Sequence, residues 1–116
     1  LIAHILLAHG SRLKASNDAI FEIHSALMQK VPNLEVAFLE LCEPTLEDAI
    51  TSLHGKGASK IVILPLFIAA GRHIKEDIPR IVKAYENTYN IEIETLSHIG
   101  EHSNFLSLIE NAFKAS

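Results

Sequence analysis

The feature that most narrows the fold is a set of short apolar runs too dense for half-exposed strands. Residues 2–8 (IAHILLA) are nearly all apolar, as are residues 60–67 (KIVILPLF). Runs of this length suit strands buried on both faces, the situation of a parallel sheet. Between them the period changes. From about Ser16, the residues Ile20, Ile23, Leu27, Met28 and Val31 fall at helical spacing, and Pro32-Asn33 ends the segment. Residues 34–39 (LEVAFL) read as a second strand closed by Glu40. Pro44-Thr45 opens a second helix, with Thr45 as N-cap and Asp48 three residues on, close to a capping box. Its stripe is Leu46, Ala49, Ile50 and Leu53, and Gly55 and Gly57 stop it.

Pro65 inside the third run cannot donate to a ladder, so regular pairing is expected to end near Leu64. Residues 74–85 carry a helical stripe of Ile74, Ile78, Ile81, Val82 and Tyr85. Pro79 is tolerable only near a helix start, which places regular helix from about Asp77. Residues 91–96 alternate as a fourth strand. Ser103 is expected to cap a last helix bearing Phe105, Leu106, Ile109, Ala112 and Phe113.

The sum is βαβαβαβα over residues 1–116, read as a single domain. Short loops and right-handed crossovers make this an α/β, doubly wound, four-stranded parallel sheet, flavodoxin-like, with expected strand order 2-1-3-4. In such sheets ligands bind beyond the carboxyl ends of the strands, at the switch point between strands 1 and 3. That logic nominates two loops, residues 9–14 and 69–75.

Composition removes several function classes. A net charge of -4 argues against a general nucleic-acid binder, which needs a basic footprint. The single Cys42 allows neither an intrachain disulfide nor a CxxC motif, and a reducing cytoplasmic home is the expectation. The longest apolar stretches are too short to span a bilayer, and no signal-peptide pattern is expected at the start. No G-x-G-x-x-G, P-loop, G-x-S-x-G or H-E-x-x-H pattern is present. Seven histidines in 116 residues, by contrast, raise a metal question.

Each nominated loop carries a histidine, His9 and His73. Imidazole is a common ligand for divalent transition metals and titrates near neutral pH. Two such ligands suit an open, labile site and not a closed structural one. Arg12, Lys14, Arg72 and Lys75 lie in the same loops and offer an anion-binding rim. Residues 66–70 (LFIAA) offer an apolar wall. The combination suits a flat apolar ring that carries carboxylates and accepts a metal. His4, His24 and His54 read as structural. His98 and His102 follow strand 4 at the same end, either as secondary ligands or as an ordinary turn. Glu40 is either a carboxylate helper or an unremarkable exposed residue, and Cys42 reads as a small buried residue.

At these residues the chain resembles a known family. Residues 6–12 (LLAHGSR), 37–50 (AFLELCEPTLEDAI) and 65–79 (PLFIAAGRHIKEDIP) resemble the class II tetrapyrrole chelatases of the CbiX type, sirohydrochlorin cobaltochelatases in their small single-domain form. The resemblance implies ATP-independent insertion of Co2+ into sirohydrochlorin, with Fe2+ or Ni2+ as alternative metals. It implies that His9 and His73 handle the metal and serve catalysis, with Glu40 as an acidic helper. Ser11, Arg12, Arg72 and Lys75 become candidate substrate-binding residues. No permanently bound cofactor is implied; the divalent ion is a substrate. Enclosing a large macrocycle calls for more than one such sheet, so a homodimer is expected.

Two other readings remain at this stage, a carrier that binds tetrapyrrole or metal without catalysis, and a dimeric interaction domain with incidental histidines. The catalytic reading makes a pH prediction. Imidazoles must be neutral to ligate. Metal insertion should therefore fall as pH drops through the histidine range, about 6.5 for an unperturbed side chain. A flat initial rate of insertion from about pH 5 to 8 would show that imidazole is not central.

Overall fold

The computed structural model describes the backbone of residues 1–116 and every side chain except that of His73. The elements run β1 (Ile2–Ala8), α1 (Lys14–Leu27), β2 (Leu34–Phe38), α2 (Leu46–Gly55), β3 (Lys60–Pro65), a π-helical turn (His73–Asp77), α3 (Ile78–Tyr89), β4 (Glu92–Thr95), a 3-10 turn (Ile99–Glu101) and α4 (Phe105–Lys114). The strands form one all-parallel sheet in the order β2-β1-β3-β4, the expected topology. β1 is paired on both edges, with Leu7 opposite Ala37 of β2 and Pro65 of β3.

That register sorts the side chains between two faces. Ala3, Ile5, Leu7, Ala37, Ile61, Ile63 and Ile93 share the main core with Leu46, Ala49, Ile50 and Leu53 of α2 and with Ile78 and Val82 of α3. The stripe read for α2 is buried as expected, and its cap is a complete capping box between Thr45 and Asp48. The other face is thinner. There α1 lays Ile20 over Ala8, Val36 and Phe38, and the Phe21 ring meets Phe38 at 5.4 Å. No residue of α1 is fully buried.

Several boundaries differ from the sequence expectation. α1 begins at Lys14, before Ser16, and ends at Leu27, so Met28 and Val31 lie beyond it. The cap of α4 is Asn104 and not Ser103; the Asn104 N–H goes to His102 Nδ1 at 3.2 Å. Pairing in β3 reaches Pro65, one residue past the expected end. The last bond between β3 and β4 runs from Leu96 N–H to the Ile63 carbonyl. The next parallel rung would need a Pro65 N–H, which proline lacks, so β4 departs there at no cost to β3. Toward β1 the chain continues regularly, with Leu66 N–H donating to Leu7.

Pro79 acts similarly on α3. It is the second residue of regular helix, and it has no N–H for the carbonyl of residue 75. The preceding turn widens into the π-helical segment, and regular α-helix starts at Ile78, next to the expected Asp77. The helix then runs to Tyr89 and stops at Asn90, which takes the left-handed conformation.

α4 departs most from the expected packing. It packs chiefly against the 3-10 turn, and none of its residues is buried. Leu106 (76%) and Phe113 (74%) are largely exposed. The sheet face beside α1 is correspondingly open. An apolar groove of about 160 Å³ remains there, lined among others by Leu6, Leu27, Val62, Leu64 and Leu96. No helix of the described residues is long and apolar enough to cross a membrane.

Candidate functional site

Backbone hydrogen bonds between the two segments continue past the last β1–β2 pair. Leu39 N–H donates to Ala8 and Glu40 N–H donates to His9, each at 3.0 Å. This brings the residue after β1 beside the residue that closes β2. The His9 Nε2 and Glu40 Oε1 atoms lie 3.2 Å apart, with both side chains about half exposed. Gly10 makes the approach possible. Its φ is +96°, and a Cβ there would collide with the Glu40 carbonyl oxygen. His9 Nδ1 lies 3.1 Å from the Gly10 carbonyl oxygen, which only accepts, so this contact is a hydrogen bond when Nδ1 carries the proton.

On the β3 side the wall is apolar, as read from residues 66–70. An open cleft of about 420 Å³ is lined by His9, Leu66, Phe67, Ile68, Ala69, Gly71 and Ile74. The Phe67 ring stands edge-on to His9, with centroids 6.4 Å apart. The wall is braced from behind, because Gly100 N–H donates to the Phe67 carbonyl at 3.0 Å. A side chain at Gly100 would collide with the backbone of Ile68, so the loop after β4 is pressed directly against the wall. The side chain of His73, the other half of the expected metal pair, lies outside the described residues. Among those described, no group of three or more His, Cys, Asp or Glu converges to hold a metal. The donors on view are one imidazole and one carboxylate, a set that leaves most coordination positions of a divalent ion open.

The basic rim is partly neutralised by its own helices. Lys14 pairs with Asp18 at 2.8 Å, and that hydrogen bond raises its pKa. Arg72 faces Glu76 at 3.7 Å. Arg12 and Lys75 are exposed, and no ion pair is seen for either among the described residues. Ser11 lies in the loop with its hydroxyl accepting from Leu13 N–H at 3.0 Å. Its backbone is held by a residue that sequence reading did not single out. Ser11 N–H donates to Asn17 Oδ1 at 2.9 Å, and Asn17 Nδ2 returns a bond to the Ser11 carbonyl at 2.7 Å. A polar residue in a first helical turn carries no visible mark of such a role.

The remaining histidines are accounted for locally. His24 Nε2 meets the Leu34 carbonyl and His4 Nδ1 the Pro32 carbonyl, each at 2.7 Å, while His54 stacks on Tyr89 with centroids 4.1 Å apart. His98 is buried, with Nδ1 3.8 Å from Glu101, and His102 accepts from the Asn104 backbone. Neither lines the cleft beside His9. Cys42 packs against the small cluster under α1 and is half-buried, not buried as expected.

A parallel sheet with an imidazole–carboxylate pair and an apolar cleft at its switch point defines a ligand-binding α/β domain. A family model described as CbiX matches residues 3–116, and the chain belongs to the CbiX family. A sirohydrochlorin cobaltochelatase of Methanopyrus kandleri is 39% identical over 84 residues, 71% of this chain and 59% of that protein. Another, from Sulfolobus acidocaldarius, is 36% identical over 93 residues, 80% of this chain and 76% of that protein. A CbiX protein from Marinobacter aquaeolei VT8 superposes with a TM-score of 0.90 at 28% identity, covering 99% of this chain and 96% of that one. The sirohydrochlorin chelatase SirB from Bacillus subtilis subspecies spizizenii, solved in complex with cobalt, gives a TM-score of 0.82 at 30% identity; the match covers 98% of this chain and 50% of that one. The chain thus corresponds to about half of SirB and to less than two thirds of the Methanopyrus protein.

The backbone approach at Gly10 can be tested. Gly10→Ala should destabilise the fold by about 1–3 kcal/mol from backbone strain alone, read as a lower urea midpoint. It should also separate His9 from Glu40. A Gly10→Ala protein with a wild-type midpoint would refute the close approach.

Proposed function

We propose that this chain inserts Co2+ into sirohydrochlorin without ATP. The observation that carries the reading is the His9–Glu40 pair at the mouth of an apolar cleft, in a member of the CbiX family. Curated relatives at 36–39% identity bear the name sirohydrochlorin cobaltochelatase, and the SirB relative was solved with cobalt. SirB from Bacillus subtilis has also been solved with Fe3+, which keeps iron as a competing metal, alongside nickel, for an imidazole–carboxylate donor set.

The task is to strip water from the ion, hold it over the ring and remove two pyrrole protons. In this reading His9 and His73 deliver the metal, and the two pyrrole protons pass to Glu40, 3.2 Å from His9, and to an imidazole freed as the ion leaves. A site with so few protein donors releases its ion instead of trapping it. The Leu66–Ala69 wall orients the macrocycle, and Ser11, Arg12, Arg72 and Lys75 engage its carboxylates. The ion is substrate, and no resident cofactor takes part. A cytoplasmic location fits the lone free cysteine.

We further propose that residues 1–116 act as one domain of a homodimer. The support is a pair of unpartnered apolar surfaces, the exposed stripe of α4 and the open sheet groove beside α1. A second copy of this chain, laying its α4 along that groove, buries both. SirB, about twice as long, gives a precedent for two such lengths in one protein. Light scattering should therefore report a dimer at working concentration; a fully active monomer would refute it.

The catalytic test is spectrophotometric. Sirohydrochlorin with Co2+, Fe2+ or Ni2+ should convert faster with the protein than without it, at low protein concentration. His9→Ala and His73→Ala should each remove most of the enhancement with circular dichroism unchanged. The double change should cost little more, because groups acting as one unit are non-additive. His24→Ala should shift stability or dimerisation more than turnover. A His73→Ala protein that inserts cobalt at the wild-type rate would sink the assignment, and binding of sirohydrochlorin without any rate enhancement would favour a carrier.

A further inference from the structure

The Gly10–Ser11 peptide unit stands between two side chains. It is trans, so its N–H and C=O point in opposite directions. The N–H, on Ser11, donates to Asn17 Oδ1 at 2.9 Å. The C=O, on Gly10, faces His9 Nδ1 at 3.1 Å. Gly10, at φ +96°, occupies a conformation that leaves the plane dependent on what holds it. Asn17 is half-buried in the first turn of α1, and its second bond, from Nδ2 to the Ser11 carbonyl at 2.7 Å, fixes the amide's own orientation.

We propose that Asn17 is a positioning residue for His9: by holding the Ser11 N–H it aims the Gly10 carbonyl at Nδ1 and so reserves Nε2 for the metal. The inference rests on the chelatase reading for its consequence but not for its geometry. Among the described residues, the Gly10 carbonyl at Nδ1 and the Glu40 carboxylate at Nε2 compete for the proton on a neutral His9 ring. When the carbonyl holds it, Nε2 carries a lone pair and no proton. When Glu40 holds it, an incoming ion must first displace that proton. Histidines that bind metals commonly have the other ring nitrogen tied to a carbonyl or carboxylate. Here that tie is set one peptide further back, by a helix residue.

The test reads the ring directly. In metal-free protein with 15N-labelled histidine, above the histidine titration range, wild-type His9 should carry its proton on Nδ1. Asn17→Ala should shift it toward the Nε2–H form and raise the dissociation constant for Co2+ alone about tenfold, with circular dichroism unchanged. Asn17→Asp keeps an acceptor for Ser11 N–H while losing the donor to the Ser11 carbonyl, and it should keep the Nδ1–H form. An unchanged Nδ1–H signal in Asn17→Ala overturns the proposal, as does an Asn17→Asp protein that behaves like Asn17→Ala. If Asn17→Ala does not fold, Asn17→Leu, which keeps the bulk and has no acceptor, takes its place: a shift to Nε2–H upholds the relay, and an unchanged Nδ1–H signal overturns it. A tautomer shift in a protein that binds no cobalt would refute the chelatase reading and leave the relay standing.

Discussion

The functional end of this molecule depends on two backbone hydrogen bonds made just past the ends of β1 and β2. β1 and β2 remain bonded through Ala8–Leu39 and His9–Glu40. These are two consecutive bonds outside the regular ladder, made where the chain after β2 bends, and they are enough to hold an imidazole and a carboxylate together. No long-range side-chain network is required. The condition is that nothing intrude between the two backbones, and Gly10 meets it by having no Cβ. Asn17 then fixes the following peptide, so the turn is determined on both sides of the glycine.

The opposite wall is shaped by two prolines that act through missing N–H groups. Pro65 ends the β3–β4 ladder, and Pro79 obstructs an α-helical bond back to residue 75. Between them the chain is released from both regular patterns, and it runs as loop and π-helical turn with Leu66, Phe67, Ile68 and Ile74 facing the cleft. β4 leaves the sheet where Pro65 lets it go, and the loop that follows returns to brace Phe67 and Ile68 through Gly100. The wall is thus apolar in composition and polar in support, since its side chains face the cleft while its backbone is tied from behind.

Much of this was legible in the residues. The dense apolar runs implied parallel strands, and the α2 stripe and its Thr45–Asp48 cap appear as read. His9 followed from the switch-point rule, and the 66–70 wall from its apolar composition. What escaped reading was tertiary. Asn17 looks like any polar residue in a first turn, and its partner is six positions back in a loop whose path cannot be known beforehand. Lys14 and Arg72 read as rim cations, but the carboxylates four residues on, Asp18 and Glu76, take part of their charge. Glu40 was ambiguous because an exposed Glu after a strand is ordinary; only the bonds past the strand ends show that it faces His9. The stripe of α4 was correctly periodic, yet periodicity says that a face needs covering and not which surface covers it.

That last helix has a consequence for how the protein exists in solution. A ten-residue helix is marginal alone in water, and most helices persist because an apolar face is packed. α4 has little of its own chain to lie on. Its order is therefore coupled to whatever occupies that face, and in the proposed homodimer the occupancy would follow mass action. Dilution becomes a structural variable: the sheet can stay intact while its last helix frays. In that proposal the quantity of protein present, and not only its sequence, sets how much of the chain is folded.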